Sequence, residues 1–192
     1  MQYFNHIVGE EERVFPPPYK EIKEPPSGLK YYCTIDPAFT VNKTSDFTAI
    51  VVCGYDSGET IYVCEAIKLK CNPSDLIGHI YKLYEKYNLR YIGIESTVMQ
   101  NVVVWALEYA QKNEDLPSLP VVPINTSNVK DAKDNRIRGM SYFFKRGAVV
   151  LKHGLEDLKR ELGRYPGNSR SKDDLLDALS MQRELISWRR KV

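Results

Sequence analysis

Apolar positions in this chain fall into short runs of period two near the start and into longer stretches of helical period after residue 70. The first run, Tyr31–Ile35, ends on Asp36 and is broken at once by Pro37. A polar loop with Asn42, Lys43, Thr44 and Ser45 follows, and Asp46 precedes a second run, Phe47–Cys53. Both runs are rich in Tyr, Thr, Val and Ile and are separated by turn formers, which predicts adjacent antiparallel strands. Asp56-Ser57-Gly58 makes a tight turn, and Glu59–Lys70 reads as the third strand of a meander.

The period then changes. Asn72 and Pro73 fit the cap and first position of a helix, with Leu76, Ile80, Leu83, Tyr84 and Tyr87 on one face. Arg90–Glu95 is a short strand that again ends on an acid. Thr97 fits the cap of a second helix, in which Val98, Val102, Trp105, Ala106 and Tyr109 line up. Pro120–Ile124 reads as a fifth strand. Asp131–Arg146 follows as a helix with basic and aromatic residues interleaved, of which Tyr142, Phe143 and Phe144 read as core. A short apolar run, Ala148–Leu151, an amphipathic stretch, Leu155–Leu162, and a Gly/Pro/Ser loop, Gly163–Lys172, lead to a last helix opened by Asp173-Asp174. Leu175, Leu176, Ala178, Leu179, Leu185 and Ile186 are its packing residues. The order predicts an α/β fold: a mixed central sheet, made of a three-stranded antiparallel meander plus helix-linked parallel strands, flanked by helices.

The first 27 residues do not look like core. They hold five of the eleven prolines and the acidic run Glu10–Glu12, a composition that favours extended chain. Residues 1–27 are therefore read as a linker or docking arm, which Tyr3, Phe4, Phe15 and Tyr19 can pin to a domain spanning 28–192. At 192 residues, with 43% hydrophobic and 27% charged content, the chain suits one globular domain with a sizeable core. No apolar run approaches the ~18 residues of a membrane span, and the N-terminus lacks a signal-peptide pattern. Cys33, Cys53, Cys64 and Cys71 make no CxxC pair, as expected of free thiols in a reducing compartment. The net charge of +2 hides an asymmetry: residues 1–127 carry 11 Lys/Arg against 16 Asp/Glu, and residues 128–192 carry 16 against 9. A basic final third points to a polyanionic partner.

The acids share a pattern. Asp36 ends the first strand, Glu95 ends the fourth, and Asp173, Asp174 and Asp177 open the last helix. Strands one and four can lie side by side in this topology, which brings Asp36 and Glu95 together. On the helix, Asp173 and Asp177 are i,i+4 and Asp174 and Asp177 are i,i+3, so either pair can share a face. At about 4 Å and an effective dielectric near 20, each pair of like charges costs about 4 kcal/mol, so the cluster calls for protons or cations. Oxygen donors select hard Mg²⁺ or Mn²⁺. Two such ions, about 3.5–4 Å apart, can activate a water and stabilise the leaving oxygen of a phosphodiester.

The order βββαβαβα with these acids resembles the RNase H-like nuclease superfamily. More narrowly, IDPAFTVNKTSDFTAIVV, YIGIES and KDDLLDALSM resemble the nuclease domain of the tailed-phage terminase large subunit, over about residues 28–190. The resemblance implies a metal-dependent endonuclease that cuts double-stranded DNA during viral genome packaging, in the cytoplasm of the infected bacterial host. It implies Asp36, Glu95 and Asp174 as catalytic metal ligands, with Asp46, Asp173 and Asp177 as supporting acids. Which of Asp173, Asp174 and Asp177 takes the main role stays open. Its implied partners are the terminase ATPase domain, the small terminase subunit and the portal, with no membrane. The chain has no G-x-x-x-x-G-K-[ST] loop, so it is expected to be an isolated nuclease domain or a stand-alone relative, with 1–27 as the remnant of a motor–nuclease connection.

Backbone contacts to DNA are expected from Lys130, Lys133, Arg136, Arg138, Lys145 and Arg146 on the basic helix, and from Arg164, Arg170 and Lys172 in the following loop. Two other readings share these features. One is a Holliday-junction resolvase or transposase-like nuclease; the other is a non-catalytic DNA- or partner-binding module of the same fold.

Overall fold

The computed structural model describes residues 13–38, 47–96, 98–126, 132–166 and 173–189. Its strands are β1 (Glu21–Ile22), β2 (Lys30–Asp36), β3 (Thr48–Tyr55), β4 (Ile61–Leu69), β5 (Tyr91–Glu95), β6 (Val121–Ile124) and β7 (Val149–Lys152). Its helices are α1 (Pro73–Tyr87), α2 (Val98–Asn113), α3 (Ala132–Lys145), α4 (Glu156–Arg164) and α5 (Asp174–Arg189). The strands form one sheet in the order β1-β7-β4-β3-β2-β5-β6. β2, β3 and β4 are the antiparallel meander; β5 pairs parallel with β2, β6 with β5, β7 with β4 and β1 with β7. The mixed sheet anticipated from the sequence is present, with two more strands. β7 grew from the apolar run at Ala148–Leu151, and β1 is too short for its two residues to show a period. At the far edge, β6 carries Pro123 opposite Ile94.

Period-two alternation distributes β2 between two cores. Cys33 and Ile35 join Ile92 and Ile94 under α1 and α2, while Tyr32 joins the core under α3, α4 and α5. Every residue of β3 is buried, as expected for a central strand covered on both faces. On α1, Asn72 caps the helix by accepting from the Asp75 N–H (2.9 Å), and Asn88 closes it in the left-handed conformation. Leu76, Ile80 and Leu83 are buried as their spacing predicts.

The face of α2 is a correction. Val102, Trp105 and Tyr109 were expected inside, yet they are 37%, 66% and 57% exposed, and the helix buries Val103, Leu107 and Ala110 instead. That stripe also has helical spacing; it consists of smaller side chains, which let the helix lie close to the sheet. Val98 and Thr97 lie outside what is described of side chains. Tyr142 is likewise 57% exposed, whereas Phe143 and Phe144 pack against the core.

The proline-rich arm is docked from Arg13 onward. Phe15 is fully buried, edge-on to Phe144 with ring centroids 5.2 Å apart, and β1 extends the sheet beside β7. Burying such a ring stabilises by about 1.5–3 kcal/mol. The four cysteines are free, three of them buried. No described helix is long and apolar enough to cross a membrane.

Candidate metal centre

Two strand ends build the base of the site. The parallel register pairs Ile35 with Ile94, so the next residues, Asp36 and Glu95, stand side by side. Past Pro37 the chain is tied back: the Ala38 N–H donates to Thr48 Oγ1 (3.0 Å). Thr126, just beyond β6, donates its hydroxyl to Glu95 Oε1 at 2.7 Å and fixes that carboxylate. Burial, then the charges of Glu95 and Asp177, push the Asp36 carboxyl up to about 8, only partly offset by Lys133. A hydrogen bond between Asp36 and Glu95 contributes in the same direction. Without a metal, then, the site holds a proton near neutral pH where a cation would otherwise sit.

The head of α5 forms the wall, and its three acids part company. Asp173 and Asp177, 2% and 4% exposed, share the Lys133 ammonium at 2.8 and 3.1 Å. Arg136 grips the other oxygen of Asp177 and donates through Nε to Ser180 Oγ at 2.8 Å. Burial works against the Lys133 ammonium, but Asp177 and Asp173 outweigh it and hold its pKa above the ordinary lysine range. Asp174 instead pairs with Lys68 of β4 at 2.9 Å. Lys68 also pairs with Glu161 of α4 at 2.7 Å, and Glu161 accepts from the Leu176 N–H at 3.0 Å, capping the first turn of α5 from outside.

The structure thus brings together Asp36, Glu95 and Asp177, with Asp173 joined through Lys133, and turns Asp174 toward Lys68. Asp46 lies outside the described residues. Among the described residues no three acids, histidines or cysteines already form a metal cage. The carboxylates nevertheless fit a hard divalent cation: all donors are oxygens, Asp36 retains a proton, and a lysine ammonium occupies the space between Asp173 and Asp177. A concavity of about 730 Å³ between Lys30, Tyr55, Tyr62, Phe143 and Arg183 holds none of these acids. The chemistry belongs to the acids.

Of the basic residues expected at DNA, Lys133 and Arg136 turn inward onto the acids. Arg138, Lys145, Arg146 and Arg164 are exposed. Arg146 donates to the Tyr142 hydroxyl and lies over its ring, 5.4 Å from the centroid. Arg164 borders a groove with Phe47, Lys68, Arg160 and Tyr165. Lys130, Arg170 and Lys172 lie outside the described residues.

The sequence profile of the terminase RNaseH-like domain matches residues 33–183, a span that contains Asp36, Glu95, Asp173, Asp174 and Asp177. The chain belongs to the terminase RNaseH-like domain family. Its fold is that of the large terminase nuclease from thermophilic phage G20c: TM-score 0.61 at 16% identity, covering 90% of this chain and 98% of that one. The HK97 bacteriophage large terminase aligns with TM-score 0.54 at 15% identity, over 85% of this chain and 40% of that one. The fowlpox virus Holliday junction resolvase shares the fold as well, with TM-score 0.52 at 14% identity over 83% and 99%. No curated protein sequence matches.

Four partners of the acids in this terminase RNaseH-like domain had no clear sequence signal. Lys68, Lys133, Arg136 and Glu161 come from other elements, and nothing local ties them to α5. Thr126 did carry a hint, since polar residues just past the carboxyl ends of parallel strands sit where sites form.

Proposed function

We propose that this chain is a metal-dependent endonuclease that hydrolyses phosphodiesters of double-stranded DNA in viral genome packaging. The observation that carries this reading is the meeting of Asp36, Glu95 and Asp177, with Asp36 pushed up to about 8 by its burial and its acidic neighbours. Family membership and the fold shared with a phage nuclease that is known with bound magnesium support it.

Asp36, Glu95 and Asp177 would hold two Mg²⁺ or Mn²⁺ ions, with Asp173 and Asp46 in support. When bound, such ions polarise the phosphodiester and make an attacking water more acidic. Asp36 must shed its proton to become a ligand. Thr126 keeps Glu95 aimed at the site, and Arg136 holds Asp177 from behind. Lys133 supplies the positive charge that Asp173 and Asp177 need until a divalent cation is present. Arg138, Lys145, Arg146 and Arg164, together with Lys130, Arg170 and Lys172, would grip the DNA backbone without reading its sequence. The terminase ATPase domain, small subunit and portal would be its working partners, in the cytoplasm of the infected host.

The test is plasmid cleavage by the purified chain in Mg²⁺, Mn²⁺ or EDTA, beside Asp36→Asn. Cleavage is expected in either metal and in neither of the two controls. Persistent cutting in excess EDTA would overturn the reading, and a preference for four-way junctions over duplex would move the substrate to the resolvase class.

A further inference from the structure

Behind the acids, where α5 crosses β2, a set of hydrogen bonds runs through an otherwise apolar core. Thr34, two residues before Asp36 and on the same face of β2, donates its hydroxyl to the carbonyl of Ala178 at 2.7 Å. Ala178 directly follows Asp177. One turn later, the Gln182 amide donates to Thr34 Oγ1 at 3.1 Å and approaches the Val51 carbonyl at 3.2 Å. The Tyr55 hydroxyl donates to Gln182 Oε1 at 3.3 Å. Thr34 and Gln182 are both 0% exposed.

This network is unexpected on grounds of stability alone. Buried polar groups contribute little net when bonded, and apolar groups of the same shape serve a core about as well. What apolar packing cannot do here is choose a register. Leu175, Leu176, Ala178, Leu179 and Met181 are each 0% exposed, so from Leu175 to Gln182 α5 is buried all the way round, and this half, next to the acids, has no single greasy stripe to orient it; exposed residues return at Arg183, Glu184 and Ser187. Sliding it by one residue shifts it about 1.5 Å and turns it by about 100°, which carries Asp177 away from Asp36. Directional bonds penalise such a slip, because it leaves buried donors and acceptors without partners.

We propose that Thr34 and Gln182 are positioning residues: they fix the axial and rotational register of α5 on β2, and thereby hold Asp177 against Asp36 and Glu95 for metal binding. The proposal rests on the nuclease reading above. Neither residue touches the metal or the DNA; both act through α5.

The test replaces the clamp by shape: Thr34→Val, Gln182→Met and the double variant. Thermal melting, Mn²⁺ affinity by calorimetry, and kcat and KM for plasmid DNA are measured on the full chain. Thermal stability is expected to hold or rise. Mn²⁺ affinity and kcat are expected to fall by about 10- to 100-fold, the usual cost of losing an outer partner of a metal site, with KM unchanged. Thr34→Ser, which keeps the hydroxyl, should restore both. Mn²⁺ affinity equal to wild type in Gln182→Met and in the double variant would overturn the proposal, as would losses that simply track the melting temperature. If the double variant does not fold, the single variants decide by the same criteria. Wild type that neither binds Mn²⁺ nor cuts DNA would instead overturn the nuclease reading itself.

Discussion

Two cation–carboxylate clusters flank the first turn of α5, one residue apart in sequence, and they have different jobs. Lys68, Glu161 and Asp174 form a closed set: two carboxylates share one ammonium, and Glu161 spends its other oxygen on the Leu176 N–H. Lys133, Arg136, Asp173 and Asp177 form an open set, because Asp36 and Glu95 stand beside it, offset by a proton, by the Thr126 hydroxyl and only in part by Lys133. The first cluster needs nothing further and anchors the helix to β4 and α4. The second is short of positive charge. Adjacent residues of one sequence motif can thus be divided between architecture and chemistry by which strand or helix lies opposite them.

The sharpest way to break this contrast is to neutralise one acid in each cluster. Asp177→Asn is expected to lower the cleavage rate by at least about 100-fold, and Asp174→Asn by no more than about tenfold. Equal losses would mean that Asp174 leaves Lys68 to bind metal. Removing the cations comes next. Lys133→Met and Lys68→Met should each cost about 2 kcal/mol in metal-free unfolding experiments. That is below the value for a fully buried pair, since the two lysine side chains are 38% and 19% exposed. Added Mg²⁺ should restore stability to Lys133→Met alone, because only there can it replace the missing charge.

The last effect is one of pH. An unfolded aspartate loses its proton near pH 4, whereas folded, metal-free Asp36 keeps it up to about 8. The folded state therefore holds a proton that the unfolded chain has shed, and the stability this provides is complete below about pH 4 and lost as pH rises through 8. The melting temperature of metal-free protein should fall across that window, more in wild type than in Asp36→Asn, while Mg²⁺ affinity rises. A wild-type profile identical to that of Asp36→Asn would show that Asp36 is already ionised without metal.

The contrast also explains what could be read from the sequence. Asp36 and Glu95 were legible because a strand end is a fixed place: once β2 and β5 are neighbours, the parallel register brings their last residues together. The roles of Asp173, Asp174 and Asp177 were not. Helical spacing offered two faces, and the hydrophobic pattern could not choose between them because α5 is buried all round from Leu175 to Gln182, the stretch that follows these acids. The choice came from distant partners, such as Arg136, 41 residues before Asp177. The same physics misled the reading of α2, where bulky Trp105 and Tyr109 outweighed the smaller Val103, Leu107 and Ala110 that fit against the sheet. β1 and β7, two and four residues long, were too short for alternation to show.

Pro123 has a consequence for how molecules of this protein meet one another. β6 uses its even-numbered residues to bond to β5, through the carbonyls of Pro120 and Ile124, so Val121 and Pro123 point their backbone outward at the rim of the sheet. Val121 spends its N–H on the carbonyl of Leu119 at 2.8 Å, and proline has none to offer. A foreign strand arriving at this rim finds no amide hydrogen along β6 to pair with, which removes half of the template for strand addition. Copies that meet at this rim can therefore lie edge to edge without zipping into a continuous sheet through β6.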